Sequence, residues 1–322
     1  MSVKLIVALA SLFSLGTAHA AEWPTRPITV VVPYPPGGSI DVIGRIIAQK
    51  LQDALGQPII IENRAGAAGT VGAGIVAKAA PDGYTLMVSA VVHLISPYIL
   101  KATPFDPIAD FTGITEIAEG PLMISASKNV QASNIAEFIA QAKQDPGKFV
   151  FSTSGYGASG HLAVELLRRI VSADPSKTTL VNFNGAAPAL NQLLVGSIDV
   201  LIDPVLSSYQ ITQSDRAKVL GLTGARRIPL LPNVPTVVEL GYPELEIYSW
   251  YAMWGPKGLP KAIADRIAQE MKKIVAMPDV RKKLVDSGFE PIASDPDTFS
   301  AYLISERDKY QRILREIGIQ AR

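Results

Sequence analysis

The sequence predicts an α/β protein of two domains built on largely parallel sheets. Three observations carry this. Strand and helix patterns alternate along the chain. The chain has 322 residues, 48% of them hydrophobic, enough to bury a large core and to divide. One unit, a strand followed by a glycine-rich loop and a helix, occurs twice, at 28–55 and at 149–172. Two such units, one per domain, are what a protein that holds a ligand in a cleft needs.

Residues 1–20 read as a signal peptide. Lys4 supplies the positive start, 5–15 is apolar, and Ala18-His19-Ala20 is a small-residue cleavage site. The apolar run is too short to span a bilayer. Export follows, with a mature chain of 21–322. The whole chain has 30 basic and 29 acidic residues, and Lys4 is the only charge removed with the signal. That balance gives no electrostatic footprint for nucleic acid or an anionic membrane surface. With no cysteine, no disulfide assists the fold, so the core must stabilise it.

Strands are predicted at 28–32, 58–62, 84–90, 122–126, 149–153, 179–183, 198–203, 219–223 and 247–254. The first is a run of β-branched residues suited to a sheet buried on both faces. Helices are predicted near 42–55, 70–80, 134–144, 160–172, 186–196, 205–215, 261–276, 278–287 and 296–316. Their starts are signalled by Ser133-Asn134, by Pro260 and by Asp295-Pro296.

The chemistry concentrates in the two glycine-rich loops. In the first, Pro33, Pro35 and Pro36 stop the strand, Gly37 and Gly38 allow a tight turn, and Ser39 and Asp41 precede the helix. In the second, Ser154, Gly155, Tyr156, Gly157, Ala158 and Ser159 lead into a helix carrying Leu162, Leu166, Leu167 and Ile170. A helix start leaves N–H groups unpaired and carries partial positive charge, so each loop is a candidate site for a phosphate or carboxylate. The competing reading of each is plain turn geometry.

Other chemistries fit less well. Gly157-Ala158-Ser159-Gly160-His161 misses the G-x-S-x-G nucleophile elbow at its last position. An exported α/β serine hydrolase using Ser159 or Ser154 is nonetheless the alternative reading. The mature chain has only His93 and His161, which with no cysteine gives no metal-ligand spacing, so no metal and no cofactor is expected. Between Gly66 and Gly74 the glycines do not fit a dinucleotide fingerprint and serve helix packing instead. The aromatics Tyr248, Trp250, Tyr251 and Trp254 read as core or as a strand crossing between domains.

Several motifs together resemble one family. They are Trp23-Pro24-Thr25-Arg26-Pro27 running into the first loop, Glu62-Asn63-Arg64-Ala65-Gly66, Ala80-Pro81-Asp82-Gly83-Tyr84, Phe105-Asp106-Pro107, the second loop through Leu162, Ala187-Pro188-Ala189-Leu190 and Leu231-Pro232-Asn233-Val234-Pro235-Thr236. In this order and spacing the mature chain is similar to the Bug, or TctC, family: extracytoplasmic solute-binding proteins of tripartite tricarboxylate transporters. The resemblance implies a non-enzymatic, two-lobed periplasmic binding protein of type II, a Venus flytrap with a ligand cleft between the lobes. Lobe one would be 21–122 with 246–322, lobe two 123–245, and the strands at 122–126 and 247–254 the hinge.

It also implies that a small organic carboxylate rests on backbone amides of both loops: Tyr34, Pro36, Gly38, Ser39, Ile40 and Asp41 from the first, and Ser154, Gly155, Tyr156, Gly157, Ala158 and Ser159, with His161 behind, from the second. Ser89 and His93 would face the cleft, and Asn184, Gly185, Ala186 and Asp203 would form the wall of lobe two. Partners would be the ligand and membrane transporter subunits, or a sensor, and the protein a monomer. Three features depart from the family pattern: Phe183-Asn184 in place of an aromatic and a basic residue, Ile40 in place of a small polar one, and the apolar run Ala90-Val91-Val92. They favour an apolar or aromatic ligand body over a citrate-like one.

Overall fold

The computed structural model describes residues 23–318 and residue 321; the predicted signal peptide lies outside the described residues. Among the described residues ten strands form one sheet. They are β1 (Ile28–Val32), β2 (Ile59–Asn63), β3 (Thr85–Ala90), β4 (Phe111–Ser127), β5 (Val150–Thr153), β6 (Thr179–Asn182), β7 (Val200–Pro204), β8 (Ala217–Leu222), β9 (Tyr248–Pro256) and β10 (Glu290–Pro291). The order is β2-β1-β3-β9-β4-β7-β5-β6, with β8 and β10 also paired to β4.

The 17-residue β4 ties two sheet regions together. Its 111–121 stretch pairs with β9, while from Leu122 onward it pairs with β7 and β8. The first region is therefore β2-β1-β3-β9-β4 with β10, and the second β4-β7-β5-β6 with β8.

Each region follows the β-branched pattern that both-face burial requires. In β1, Ile28 and Val30 join one apolar cluster and Val31 the other. The helices α1 (Ser39–Leu55), α8 (Lys261–Ala276) and α9 (Pro278–Asp286) cover the first face through Ile43, Ile47, Leu51, Ile267, Met271 and Leu284. The opposite face belongs to a cluster that runs through both regions. It takes in α2 (Thr70–Ala77), α3 (Val91–Ile99), α4 (Ile135–Gln144), α5 (Ser159–Val171) and the long α10 (Pro296–Ile317). Below β7, α6 (Ala186–Val195) and the short α7 (Val205–Ser208) enclose a third cluster around Met123, Leu201 and Leu222. The capping signals act as their chemistry requires: Asn134 accepts from the Glu137 N–H and Asp295 from the Thr298 N–H.

Four expectations are corrected. The sheet is mixed, not largely parallel: β1 and β5 pair in parallel with their neighbours, but β3–β9 and every pairing of β4 are antiparallel. The crossing strands run against those around them, a fact of connection that hydrophobic period does not carry. The strand expected at 122–126 begins eleven residues earlier, at Phe111; Thr112, Gly113, Thr115 and Glu116 mask it as polar sequence. Helix α3 went unanticipated because Pro97 sits inside it and its apolar residues are nearly continuous. The helix expected over 205–215 is four residues of α-helix followed by a 3₁₀ turn.

The glycines between 66 and 74 do serve packing. A Cβ on Gly72 would lie 2.8 Å from both the Arg64 carbonyl and Pro33 Cβ, so α2 approaches the end of β1 only because nothing projects there.

Candidate functional site

The first loop is held by Asp41, buried in the first turn of α1. Its carboxylate accepts the Gly37 N–H at 2.9 Å, the Asn63 amide at 2.9 Å and Arg45 Nε at 3.0 Å. Burial opposes the charge, but the Arg45, Gly37 and Asn63 hydrogen bonds outweigh it and hold Asp41 below its usual range. Gly37 takes φ +86°, which its lack of a Cβ allows. Gly38 is the N-cap and contributes no side chain, so the first N–H groups of α1, at Ser39 and Ile40, lack a capping side chain. Pro36 and Gly38 are exposed, Ser39 and Ile40 half-buried. The Tyr34 hydroxyl points away, donating to the Ala68 carbonyl at 3.0 Å. The side chains of Tyr34 and Asp41 are thus both committed to shaping the loop.

The second loop repeats the design. Ala158 is the N-cap of α5, again without a capping side chain. The Ala158 N–H closes the turn onto the Gly155 carbonyl at 3.3 Å. Tyr156 packs on the His161 ring, centroids 4.5 Å apart, and His161 Nε2 lies 3.7 Å from Glu165. Ser159 and His161 are both buried at the start of α5. Gly157 has φ +77°, and a Cβ there would lie 1.9 Å from Ile99 Cδ1 on α3. That contact joins a loop of the second sheet region to a helix of the first. The Gly185 N–H donates to the Ser154 carbonyl at 2.8 Å, so Asn184, Gly185 and Ala186, at the start of α6, stand beside this loop.

The loops meet through a chain of hydroxyls around Asp203, at the end of β7. The Ser154 hydroxyl donates to Asp203 Oδ1. Ser207, one turn beyond Asp203, lies 3.5 Å from the Ser39 hydroxyl on α1. On the first-region side Ser249 donates to the Tyr251 hydroxyl at 3.0 Å, and Ser39 and Asp203 act on that same phenol. Asp203 is 1% exposed, and burial pushes its carboxyl up to about 6 against the Ser154, Ser207 and Ser208 hydroxyls. Burial likewise pushes Tyr251 up to about 12.

Of the residues singled out in the sequence, Ser39, Ser154 and Asp203 come together here. Ser207 and Ser208 were missed; the only local signal was a serine pair following a buried acid. Tyr251 was read with the aromatic core, and its ring is there, but its hydroxyl reaches the seam.

His93 is elsewhere. Its ring is enclosed by Phe105, Phe111 and Trp254, with centroids 5.5, 4.6 and 5.1 Å away, and Nε2 lies 3.2 Å from the Pro107 carbonyl. Burial pushes it down to about 4, so it is a neutral packing residue. Expected at the cleft, it lies in the aromatic core because α3 turns it inward. Ser89 lies inside β3, opposite Ala252, with its hydroxyl buried and unpaired. Among the described residues no group of three or more His, Cys, Asp or Glu is arranged to hold a metal ion.

A seam of hydroxyls between two sheet regions, flanked by uncapped helix starts, fits capture of a small polar solute. The model of the tripartite tricarboxylate transporter family receptor, TctC, matches residues 43–319. The chain belongs to this family. It is 33% identical to a UPF0065 protein in the tcbD-tcbE intergenic region of Pseudomonas sp., covering 98% of this chain and 94% of that one. It is 29% identical to protein BugT of Bordetella pertussis, covering 99% of both. A solved R. palustris structure with adipate superposes with a TM-score of 0.86 at 30% identity, over 94% of this chain and 100% of that one. MatC from Rhodopseudomonas palustris with bound malate superposes at 0.79 with 29% identity, over 91% and 100%.

This TctC protein therefore has the two-lobed α/β fold of periplasmic binding proteins, and it is a solute-binding protein, not an enzyme. The hydrolase reading falls with it. Ser159 is 2% exposed in the first turn of α5, and Ser154 is engaged by Asp203.

Proposed function

We propose that this protein captures a small organic carboxylate between its lobes and delivers it to a transporter of the tripartite tricarboxylate type. One observation carries the reading: two glycine-rich loops, each opening an uncapped helix, are drawn together across the seam by Ser39, Ser207, Asp203 and Ser154. In this reading the carboxylate accepts from the N–H groups that open α1 and α5, where several donors and the helix dipoles serve an anion without a full counter-ion. Ser39 and Ile40 supply the first lobe's amides, Ser159 at the start of α5 the second's, and Asn184 to Ala186 form the wall beyond. Lobe one is 21–122 with 246–322 and lobe two 123–245, hinged where β4 changes partners. The relatives solved with adipate and malate support a carboxylate ligand. The mature protein, freed of residues 1–20, works as a periplasmic monomer.

The test is a thermal-shift screen of mature protein stripped of ligand by unfolding and refolding. The panel holds aliphatic and aromatic carboxylates, amino acids and sugars. A ligand at about 100 times its Kd stabilises by about 2.7 kcal/mol, a rise of a few degrees in Tm. A shift with one carboxylate class is expected. A response to sugars alone would overturn the proposal.

A further inference from the structure

The oxygen atoms of Asp203 are unequally served. Oδ1 receives the Ser154 hydroxyl, while Oδ2 is buried with no hydrogen-bond partner. The Ser207 and Ser208 hydroxyls lie close enough to hydrogen-bond the carboxyl, but neither is aligned on Oδ2, and Ser207 donates to the Pro204 carbonyl. The groups acting on Asp203 are hydroxyls; no lysine, arginine or histidine is among them. A buried carboxylate oxygen without a donor is costly, and native proteins rarely leave one.

The position of this oxygen gives it a role. Asp203 is bonded to Ser154 of the second loop, and its neighbour Ser207 touches Ser39 of the first. A ligand resting on both helix starts therefore reaches the acid. A second ligand carboxylate arriving there would meet a like charge with no cation beside it. A hydroxyl or an ammonium group would complete the shell of Oδ2, and an ammonium would also neutralise it.

We infer that the carboxylate bound by this protein also carries a hydrogen-bond donor, a hydroxyl or an ammonium, which Oδ2 of Asp203 accepts. The inference rests on the carboxylate reading above and narrows it to hydroxy or amino acids. It also explains why the wall needs no basic residue at Asn184.

Matched acids test it by isothermal titration of the stripped mature protein at pH 7.5. The probes are propanoate, lactate and alanine; succinate, malate and aspartate; and 3-phenylpropanoate, phenyllactate and phenylalanine. Within the series that binds, a donor-bearing member is expected to bind roughly tenfold tighter or more than the unsubstituted acid, the range for a hydrogen bond to a charged group. Asp203→Asn, checked for folding by circular dichroism, is expected to abolish the preference for the ammonium while the unsubstituted acid still binds. Ser154→Ala leaves Asp203 with a second open oxygen and is expected to widen the preference, which keeps the test alive if Asp203→Asn does not fold. Unsubstituted acids binding as tightly as their hydroxy and amino partners would overturn the inference and leave the carboxylate reading standing. Failure of every acid to bind would overturn both.

Discussion

Replacing Gly157 with alanine separates the energy of the loop from the energy of bringing the lobes together. Two penalties arise from the same methyl group. Gly157 has φ +77°, a conformation that costs an L-residue roughly 1–2 kcal/mol whatever surrounds it. Independently, the new Cβ would stand 1.9 Å from Ile99 Cδ1 and 3.3 Å from its Cγ1. Ile99 is fully buried on α3, so its side chain cannot swing freely aside, and overpacking of this kind costs roughly 1–3 kcal/mol. The two costs appear in different measurements. The φ penalty belongs to the second loop alone and lowers Tm by a few degrees. The clash crosses between sheet regions and is relieved when they part, so it weakens ligand binding by roughly 5- to 150-fold. Ile99→Val removes Cδ1. Combined with Gly157→Ala it is expected to restore most of the lost affinity and none of the lost Tm, a coupling that a double-mutant cycle measures directly. Calorimetric titration and thermal unfolding of the four proteins suffice. An unchanged Kd in Gly157→Ala, or additive effects in the double variant, would refute the argument that this glycine is needed for the lobes to meet.

Three other outcomes are expected. Asp203 is raised to about 6 from an ordinary value of 3.8, so its protonated form is the one the fold favours. Its contribution, about 3 kcal/mol, is full below pH 4 and lost as pH rises through 6; unfolding of Asp203→Asn against wild type over pH 4–8 checks this, and parallel curves would sink it. Glu116, on β4, is pushed up to about 8 by burial, then by Glu119 and by Glu306 on α10. Raising the pH from 7 to 9 should cost wild type about 1 kcal/mol that Glu116→Gln does not lose, read as a Tm gap that opens mostly between pH 7 and 8. Gly160 packs α5 onto β7, where a Cβ would meet the Ile202 carbonyl oxygen at 2.4 Å; Gly160→Ala should destabilise by more than ~3 kcal/mol in urea unfolding, because backbone cannot yield as a side chain can.

Much of the fold and part of the site were open to reading from the chain. The nine expected strands all correspond to strands here, because a run such as Ile28 to Val32 admits little but a strand buried on both faces. The loops were legible for a similar reason. Gly37 and Gly157 need positive φ, and the residues after them open apolar-periodic helices, so loop and helix start were encoded within a dozen residues. Where the reading failed, the deciding partner was distant in sequence. His93 looked like a cleft residue until Phe105, Phe111 and Trp254 closed around it. The first half of β4 carried no strand pattern of its own and became a strand by pairing with β9 across more than 130 residues.

The sequence by itself determined local conformation and which faces are apolar, because these follow from the φ preferences and periodicity of neighbouring residues. Only the tertiary structure decided that Ser39 meets Ser207, that Tyr251 offers its hydroxyl to the seam and that Asp203 keeps one oxygen unpaired. Those contacts depend on β4 changing partners at Leu122 and folding two sheet regions against each other, and no periodicity within a segment specifies which distant segment it meets.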